Sequence, residues 1–227
     1  MRIHADLRLP AMVRTDELPW VESPMPGVHR RLLERDGDEV ARATSLVRYA
    51  PGSRFSEHVH GGGEELLVLD GTFSDQHDDF PAGSYLRNPV GSRHAPRSDD
   101  GCVLFVKLHW MHADDRQVVR ASLDATGEEV GWEDTDRAGV SARTLHRFRD
   151  ESTSLLRLTP GVEVEGWLAP GGLELLVIEG SCSIERYPLR RTGWARLPPG
   201  SAPSLASARG CVLLCKEGHL RSPPPLP

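Results

Sequence analysis

The sequence predicts an all-β protein built as two tandem barrels. Three observations lead there: short apolar and β-branched runs set between turn residues, a scarcity of segments with a helical period, and one internal duplication. Runs such as ATSLVRY, LLVLDGTF, SYLRNP and CVLFVKL are bounded by Gly, Pro, Asp and Ser clusters, the pattern of short strands joined by turns. Turn signals recur roughly every 8–12 residues, which favours a sandwich or barrel over alternating β and α units.

The duplication has a period of about 109 residues. GVHRRLLER from Gly27 answers GVSARTLHR from Gly139, and SLVRYAPG from Ser45 answers SLLRLTPG from Ser154. GGEELLVLDG, ending at Gly71, answers GGLELLVIEG, ending at Gly180, and GCVLFVK from Gly101 answers GCVLLCK from Gly210. Two copies of one unit imply an N-terminal lobe over residues 1–113, including an N-terminal arm, and a C-terminal lobe over residues 114–227. The polar stretch HADDRQVVRASLDATGEEVGWEDTDRAG reads as a connector carrying a strand or turn, with the boundary near Asp114. The Pro-rich end RSPPPLP reads as a loose or draped tail.

Composition narrows the function classes. The 227 residues carry 27 Lys and Arg against 33 Asp and Glu, a net charge of -6 with both signs interspersed. No basic stripe marks a nucleic-acid footprint, so a small molecule or a protein is the expected partner. The first twenty residues lack the apolar core of a signal peptide, and nowhere do roughly 18 apolar residues run together; a cytoplasmic protein without membrane partners is expected. Cys102, Cys182, Cys211 and Cys215 form no C-x-x-C pair, which fits reduced thiols buried on strands.

The first copy carries the chemistry. Gly52 is followed by His58, His60, Glu64 and Gly71, and then by Gly83, Pro89, Gly91 and His94. His58 and His60 are two apart, so on a strand both imidazoles point to one face. The glycines 61–63 allow the reversal that brings Glu64 back beside them. Three imidazoles and a carboxylate inside a barrel would be a poor core without a cation among them, because an unpaired carboxylate is costly to bury. Neutral imidazole and carboxylate oxygen suit zinc, iron, manganese, nickel or copper, so one divalent metal ion is the expected cofactor, its identity open.

The second copy acts as an internal control. Trp167, Ala169, Leu173 and Pro203 stand where His58, His60, Glu64 and His94 stand in the first, while the glycines and apolar pattern persist. A metal is therefore expected in the first lobe only. Glu174 aligns with Glu65; an acid that persists where the site is gone has a structural role, which selects Glu64 as the ligand. His77 reads as a solvated loop residue. His109, His112, His146 and His219 read as solvated or as satisfied by hydrogen bonds. Tyr85 and Arg87, on a strand walling the barrel, are candidates to face a substrate pocket, as are Arg48 and Tyr49.

The paired motifs resemble those of the cupin superfamily. The words ARATSLVRYAPGS, HVHGGGEELLVLDGTFSDQHDDFPAGSYLRNPVGSRHAPRS and GCVLFVKL, within residues 41–108, resemble the ChrR-like cupin family. The resemblance implies a bicupin of two tandem double-stranded β-helix (jelly-roll) barrels, with a metal on His58, His60, Glu64 and His94. Ser98 stands where the general cupin pattern often has Asn four residues beyond the last His.

For activity, the resemblance implies a small-molecule oxidoreductase of the non-haem metal dioxygenase type, similar to the β-diketone-cleaving cupins, in which no protein nucleophile is needed. Its alternative is a non-enzymatic ligand or oxidative-stress sensor, because ChrR-like cupins also form part of zinc-dependent anti-sigma factors. The His-x3-Cys-x2-Cys motif of those regulators does not precede the cupin words here, so a sigma factor is not the expected partner. Isomerase or epimerase chemistry on a sugar or keto acid is a third reading. The absence of G-x-S-x-G, Walker-type and dinucleotide fingerprints removes the common hydrolase, nucleotide and NAD readings. A homodimer is compatible with the sequence, although two fused lobes mimic the dimer of single-lobed cupins.

Overall fold

A computed structural model of the chain describes residues 1–38, 40–123 and 131–227. Among them the fold is antiparallel β throughout, with one 3-10 turn at Thr15–Glu17 as the helical element. Among the described residues, no helix is long and apolar enough to cross a membrane. The chain divides into two compact units, as the duplication predicts, each a barrel of the jelly-roll class that the resemblance implies.

The first unit comprises Met1–Ala5, Pro19–Thr126 and Pro224–Pro227. Its main sheet runs in the order Arg2–Ile3, Val28–Gly37, Ala41–Tyr49, Cys102–Leu108, Glu64–Ser74, Ser84–Asn88, Val119–Ser122. The pleat sends alternate residues of Glu64–Ser74 to opposite faces. Leu66 and Val68 join Phe73, Phe80, Leu86, Leu104 and Val106 in the barrel interior, while Glu65 and Leu67 lie on the other face. Both faces are buried, which explains why EELLVL reads as a continuous run rather than an alternation.

The face opposite the interior carries a row of polar side chains across five paired strands. Glu34 pairs with Thr44, Thr44 with Lys107, Lys107 with Glu65, and Glu65 with Arg87. The Thr44 hydroxyl donates to Glu34 at 2.7 Å and accepts from Lys107 at 3.0 Å. Tyr85 donates to Glu65 at 2.7 Å, and Arg87 meets Asp115 at 2.8 Å. Buried charges persist only with such partners.

The second unit comprises Asp6–Leu18 and Gly127–Pro223. Its sheet order, Glu133–Asp134, Val140–Phe148, Glu151–Leu158, Cys211–Glu217, Leu173–Ile184, Trp194–Leu197, Ala11–Val13, repeats that of the first. The polar row is repeated as well. Lys216 donates to Thr153, and the Trp194 indole N–H and the His219 ring both meet Glu174.

The division differs from the expected one in two ways. Val119–Ser122, inside the expected connector, is the edge strand of the first sheet, with Val119 opposite Arg87; the first unit therefore extends past Asp114. The matching edge in the second unit is filled by Ala11–Val13, with Ala11 opposite Arg196, so residues 6–18 of the expected N-terminal arm belong to the second barrel. Arg196 reinforces that docking by donating to the carbonyls of Asp6 and Leu9. In the tail, the Pro224 carbonyl accepts from Arg42, within the first unit. Residues 124–130 of the connector lie outside the described residues. All four cysteines are buried free thiols on strands.

Candidate metal centre

Three imidazoles meet because of one short ladder and one parity rule. His58–Val59 pairs with Arg93–His94 so that His94 lies directly opposite His58. His60, two residues beyond His58, returns to the same face. Its backbone continues the ladder, His60 N–H donating to the Ser92 carbonyl and Gly91 N–H to the His60 carbonyl, both at 2.9 Å. The ring centroids of His58, His60 and His94 stand 4.7–5.0 Å apart, each pair edge to face at 71–75°. Each ring offers a nitrogen within 4.8 Å of the other two, a group that could hold a metal ion.

The turn through glycines 61–63 then brings Glu64 in. Gly63 takes a positive φ of 73°, which glycine adopts without steric cost. Gly62 is required by close approach, since a Cβ there would lie 2.7 Å from the Cα of His109. Glu64 Oε2 stands 3.4 Å from His60 Nε2 and 3.5 Å from His94 Nε2. Asn88, opposite Glu64 on the neighbouring strand, donates to the same oxygen at 3.0 Å. Arg120 in turn donates to Asn88 Oδ1 at 2.6 Å and to the Arg87 carbonyl at 3.0 Å. The chain Arg120, Asn88, Glu64 thus fixes the carboxylate at the imidazole cluster.

The three imidazoles could hold a cation. The Nε2 atoms of His60 and His94 are buried and have no hydrogen-bond partner, an arrangement that costs free energy unless something binds them. At 3.4 and 3.5 Å from those atoms, Glu64 Oε2 is close enough to share with them a cation bound at roughly 2.0–2.2 Å. His58 Nδ1 lies 3.3 Å from the Ser56 carbonyl; donation there leaves Nε2 free to ligate.

Electrostatics prepares the imidazoles. Burial, with the nearby His58 and His109 adding, lowers His60 from 6.5 to about 4. Burial also lowers His94, opposed by the charge of Glu64. Both rings are therefore neutral near pH 7, the form that ligates. The sign of the linkage follows. Between pH 4 and 6.5 the unfolded chain binds a proton at His60 that the native protein does not, so stability rises with pH across this window and is lost as pH falls through it. Metal-free protein is expected to lose on the order of 2–3 kcal/mol of stability between pH 7 and pH 4 from this group; urea midpoints that do not fall over this range would contradict it.

Tyr49 packs against Phe55 and Phe73 at 4.9 and 6.1 Å. Burial, with the charge of Glu64 adding, holds its phenol far above the ordinary range and so protonated. Phe73 also packs on His94 at 5.8 Å.

Tyr85 and Arg87 face away from the imidazoles. On their strand Leu86 faces the interior and Asn88 reaches Glu64, so by alternation Tyr85 and Arg87 point to the opposite face. They serve the buried polar row there. Arg48 is exposed, stacked over Trp20 at 4.6 Å. His77 is exposed as expected, and His219 meets Glu174 at 3.0 Å. Ser98 donates to the Thr72 carbonyl at 2.6 Å, as its counterpart Ser207 does to Ser181.

Asp75, Asn88 and Arg120 escaped the sequence reading. The repeat held a signal for the first two, because Ile184 and Leu197 stand in their places in the second copy. Arg120 carried none, lying in a stretch without a counterpart. In the second unit the backbone of the site survives: Trp167 N–H donates to Pro203 and Ala169 N–H to Ser201, both at 2.8 Å. Trp167 is only 3% exposed and donates to Glu217 at 2.9 Å, so a packed indole occupies the place of His58.

Residues 9–112 match the family model of the ChrR Cupin-like domain. No curated protein matches the chain in sequence. Among solved structures, a protein from Nostoc punctiforme described as a candidate dioxygenase aligns at a TM-score of 0.72 with 15% identity, over 95% of this chain and 85% of its own. Salicylate 1,2-dioxygenase from Pseudoaminobacter salicylatoxidans, solved with gentisate, aligns at 0.66 with 14% identity, over 93% and 81%. The bacterial pirin YhhW from Escherichia coli, solved with nickel(II), aligns at 0.64 with 13% identity, over 96% and 100%. At these identities the likeness is one of fold.

Proposed function

We propose that this cupin-fold chain, whose residues 9–112 match the ChrR Cupin-like domain model, holds one divalent metal on His58, His60, Glu64 and His94 and acts on a small molecule there as a metal-dependent dioxygenase. The observation that carries the reading is the pair of buried, unpartnered Nε2 atoms of His60 and His94, both within 3.5 Å of one carboxylate oxygen. Four protein ligands leave one or two positions open on an ion that prefers five or six. A bound ion would supply Lewis acidity and, if iron, a route for electrons between an oxygen-chelating substrate and O2.

The protein residues supply the rest. Asn88 and Arg120 hold Glu64 in place. Leu66, Val68, Leu86, Leu104 and Val106 keep the interior apolar, which strengthens electrostatic interactions within it. His58 and Val59 are exposed, so a small molecule reaches the cluster from their side. The protonated hydroxyl of Tyr49 is a donor for an anionic oxygen. The preferred substrate class is the β-dicarbonyl compounds, which chelate through two oxygens. The dioxygenase names of two fold relatives support the class of reaction without assigning it.

Metal analysis of anaerobically purified protein, with O2 uptake measured on a panel of β-dicarbonyl compounds, tests the proposal. Iron-dependent uptake is expected. Zinc occupancy with no uptake after iron reconstitution would remove the dioxygenase reading, and retention of a sigma factor in a pull-down would then make the protein a regulator.

A further inference from the structure

We infer that Asp75 is a positioning residue for His94, accepting the Nδ1 proton and so turning the Nε2 lone pair toward the cation; this rests on the metal reading above. Asp75 follows the strand Glu64–Ser74, in the turn that leads to Asp79–Pro81. Its Oδ1 accepts the backbone N–H groups of His77 and Asp78 at 2.7 and 3.2 Å, which sets the plane of the carboxylate. Its Oδ2 is buried without a hydrogen-bond partner and lies 3.6 Å from His94 Nδ1, which is also buried without one. At 3.6 Å this is ion-pair contact rather than a hydrogen bond, and a small rotation of the ring closes it. Two orphaned buried atoms of complementary character, facing each other, would on closing satisfy each other's cost of burial.

The tautomer is the consequence. With the proton held on Nδ1, Nε2 presents its lone pair toward Glu64 Oε2, 3.5 Å away, where the cation would sit. Proton on Nε2 instead would block the ligand.

The duplicated unit supports this independently of the distances. There the same hairpin forms, Ile184 pairing with Tyr187 as the Asp75 N–H donates to Asp78, yet the position of Asp75 is taken by Ile184, buried in the apolar core. Ile184 accompanies Pro203 in the place of His94. The turn therefore forms without a carboxylate, and the carboxylate is absent together with the imidazole it would serve.

The test uses the full chain and Asp75→Asn, with Asp75→Ile as a second variant that copies the residue the other unit folds with. Asn retains the oxygen that caps the turn but offers Nδ1 an N–H, which drives the His94 proton to Nε2. Nitrogen-15 NMR of the metal-free proteins is expected to place that proton on Nδ1 in the wild type and on Nε2 in Asp75→Asn. Titration with Co2+ is expected to show affinity weakened by about 10–100-fold in both variants, the range for ligand-orienting partners, with shifted d–d absorption bands. A wild-type His94 protonated on Nε2, or variants that bind Co2+ as tightly as the wild type with the same spectrum, would overturn the assignment. Failure of the wild type to bind Co2+ or Zn2+ would instead overturn the metal reading, while the NMR result still decides the role of Asp75.

Discussion

Saturating the chain with a divalent ion is expected to stabilise it by about 4 kcal/mol when free metal exceeds Kd by about 1,000-fold, and His94→Ala is expected to abolish that gain. The buried Nε2 atoms of His60 and His94 and the Glu64 carboxylate are held together without a partner among themselves at hydrogen-bond distance and angle, so the native state pays for their burial until an ion arrives. An unfolded chain does not hold the four side chains together, so binding free energy becomes folding free energy. Removing His94 takes away a ligand and also leaves Asp75 without the imidazole 3.6 Å from its Oδ2. The loss of affinity should exceed the roughly 100-fold upper range for second-layer partners. Calorimetric melts with and without excess Zn2+, on wild type and variant, measure both quantities. Equal shifts in the two proteins would show that the stabilising ion binds elsewhere.

Arg87→Met is expected to destabilise the protein by about 3–5 kcal/mol, the cost of removing one partner of a buried ion pair, while metal affinity is unchanged. Arg87 is 0% exposed and its guanidinium lies 2.8 Å from Asp115, itself 2% exposed. It neighbours Glu65 across the sheet, and Glu65 neighbours Lys107, so the loss is felt along the row. The counterpart Arg196 is equally buried and bonds backbone carbonyls, as expected of a structural residue repeated in both units. Urea midpoints and Zn2+ titration of the same variant separate the two readings. Unchanged stability with weakened ligand or metal binding would return Arg87 to a pocket.

The barrels and the candidate ligands were legible because both are written locally. Period-2 alternation places His58 and His60 together, glycines permit the turn to Glu64, and the duplication shows Trp167, Ala169, Leu173 and Pro203 in place of the four. Register between distant strands was not legible. The orientation of Tyr85 and Arg87 depends on which residues of Ser84–Asn88 face the interior, and the pairing of Asn88 with Glu64 decides it. The edge strands were hidden for a related reason. Val119–Ser122 and Ala11–Val13 fill equivalent edges but share no sequence pattern, since an edge strand is held largely by backbone hydrogen bonds that most side chains allow.

An anomalous-difference map of crystals grown with Co2+ tests the central claim most directly. One peak is expected, bonded to His58, His60, Glu64 and His94, with none near Trp167. A map without density between those imidazoles, or with the ion bound in the second barrel, would contradict it.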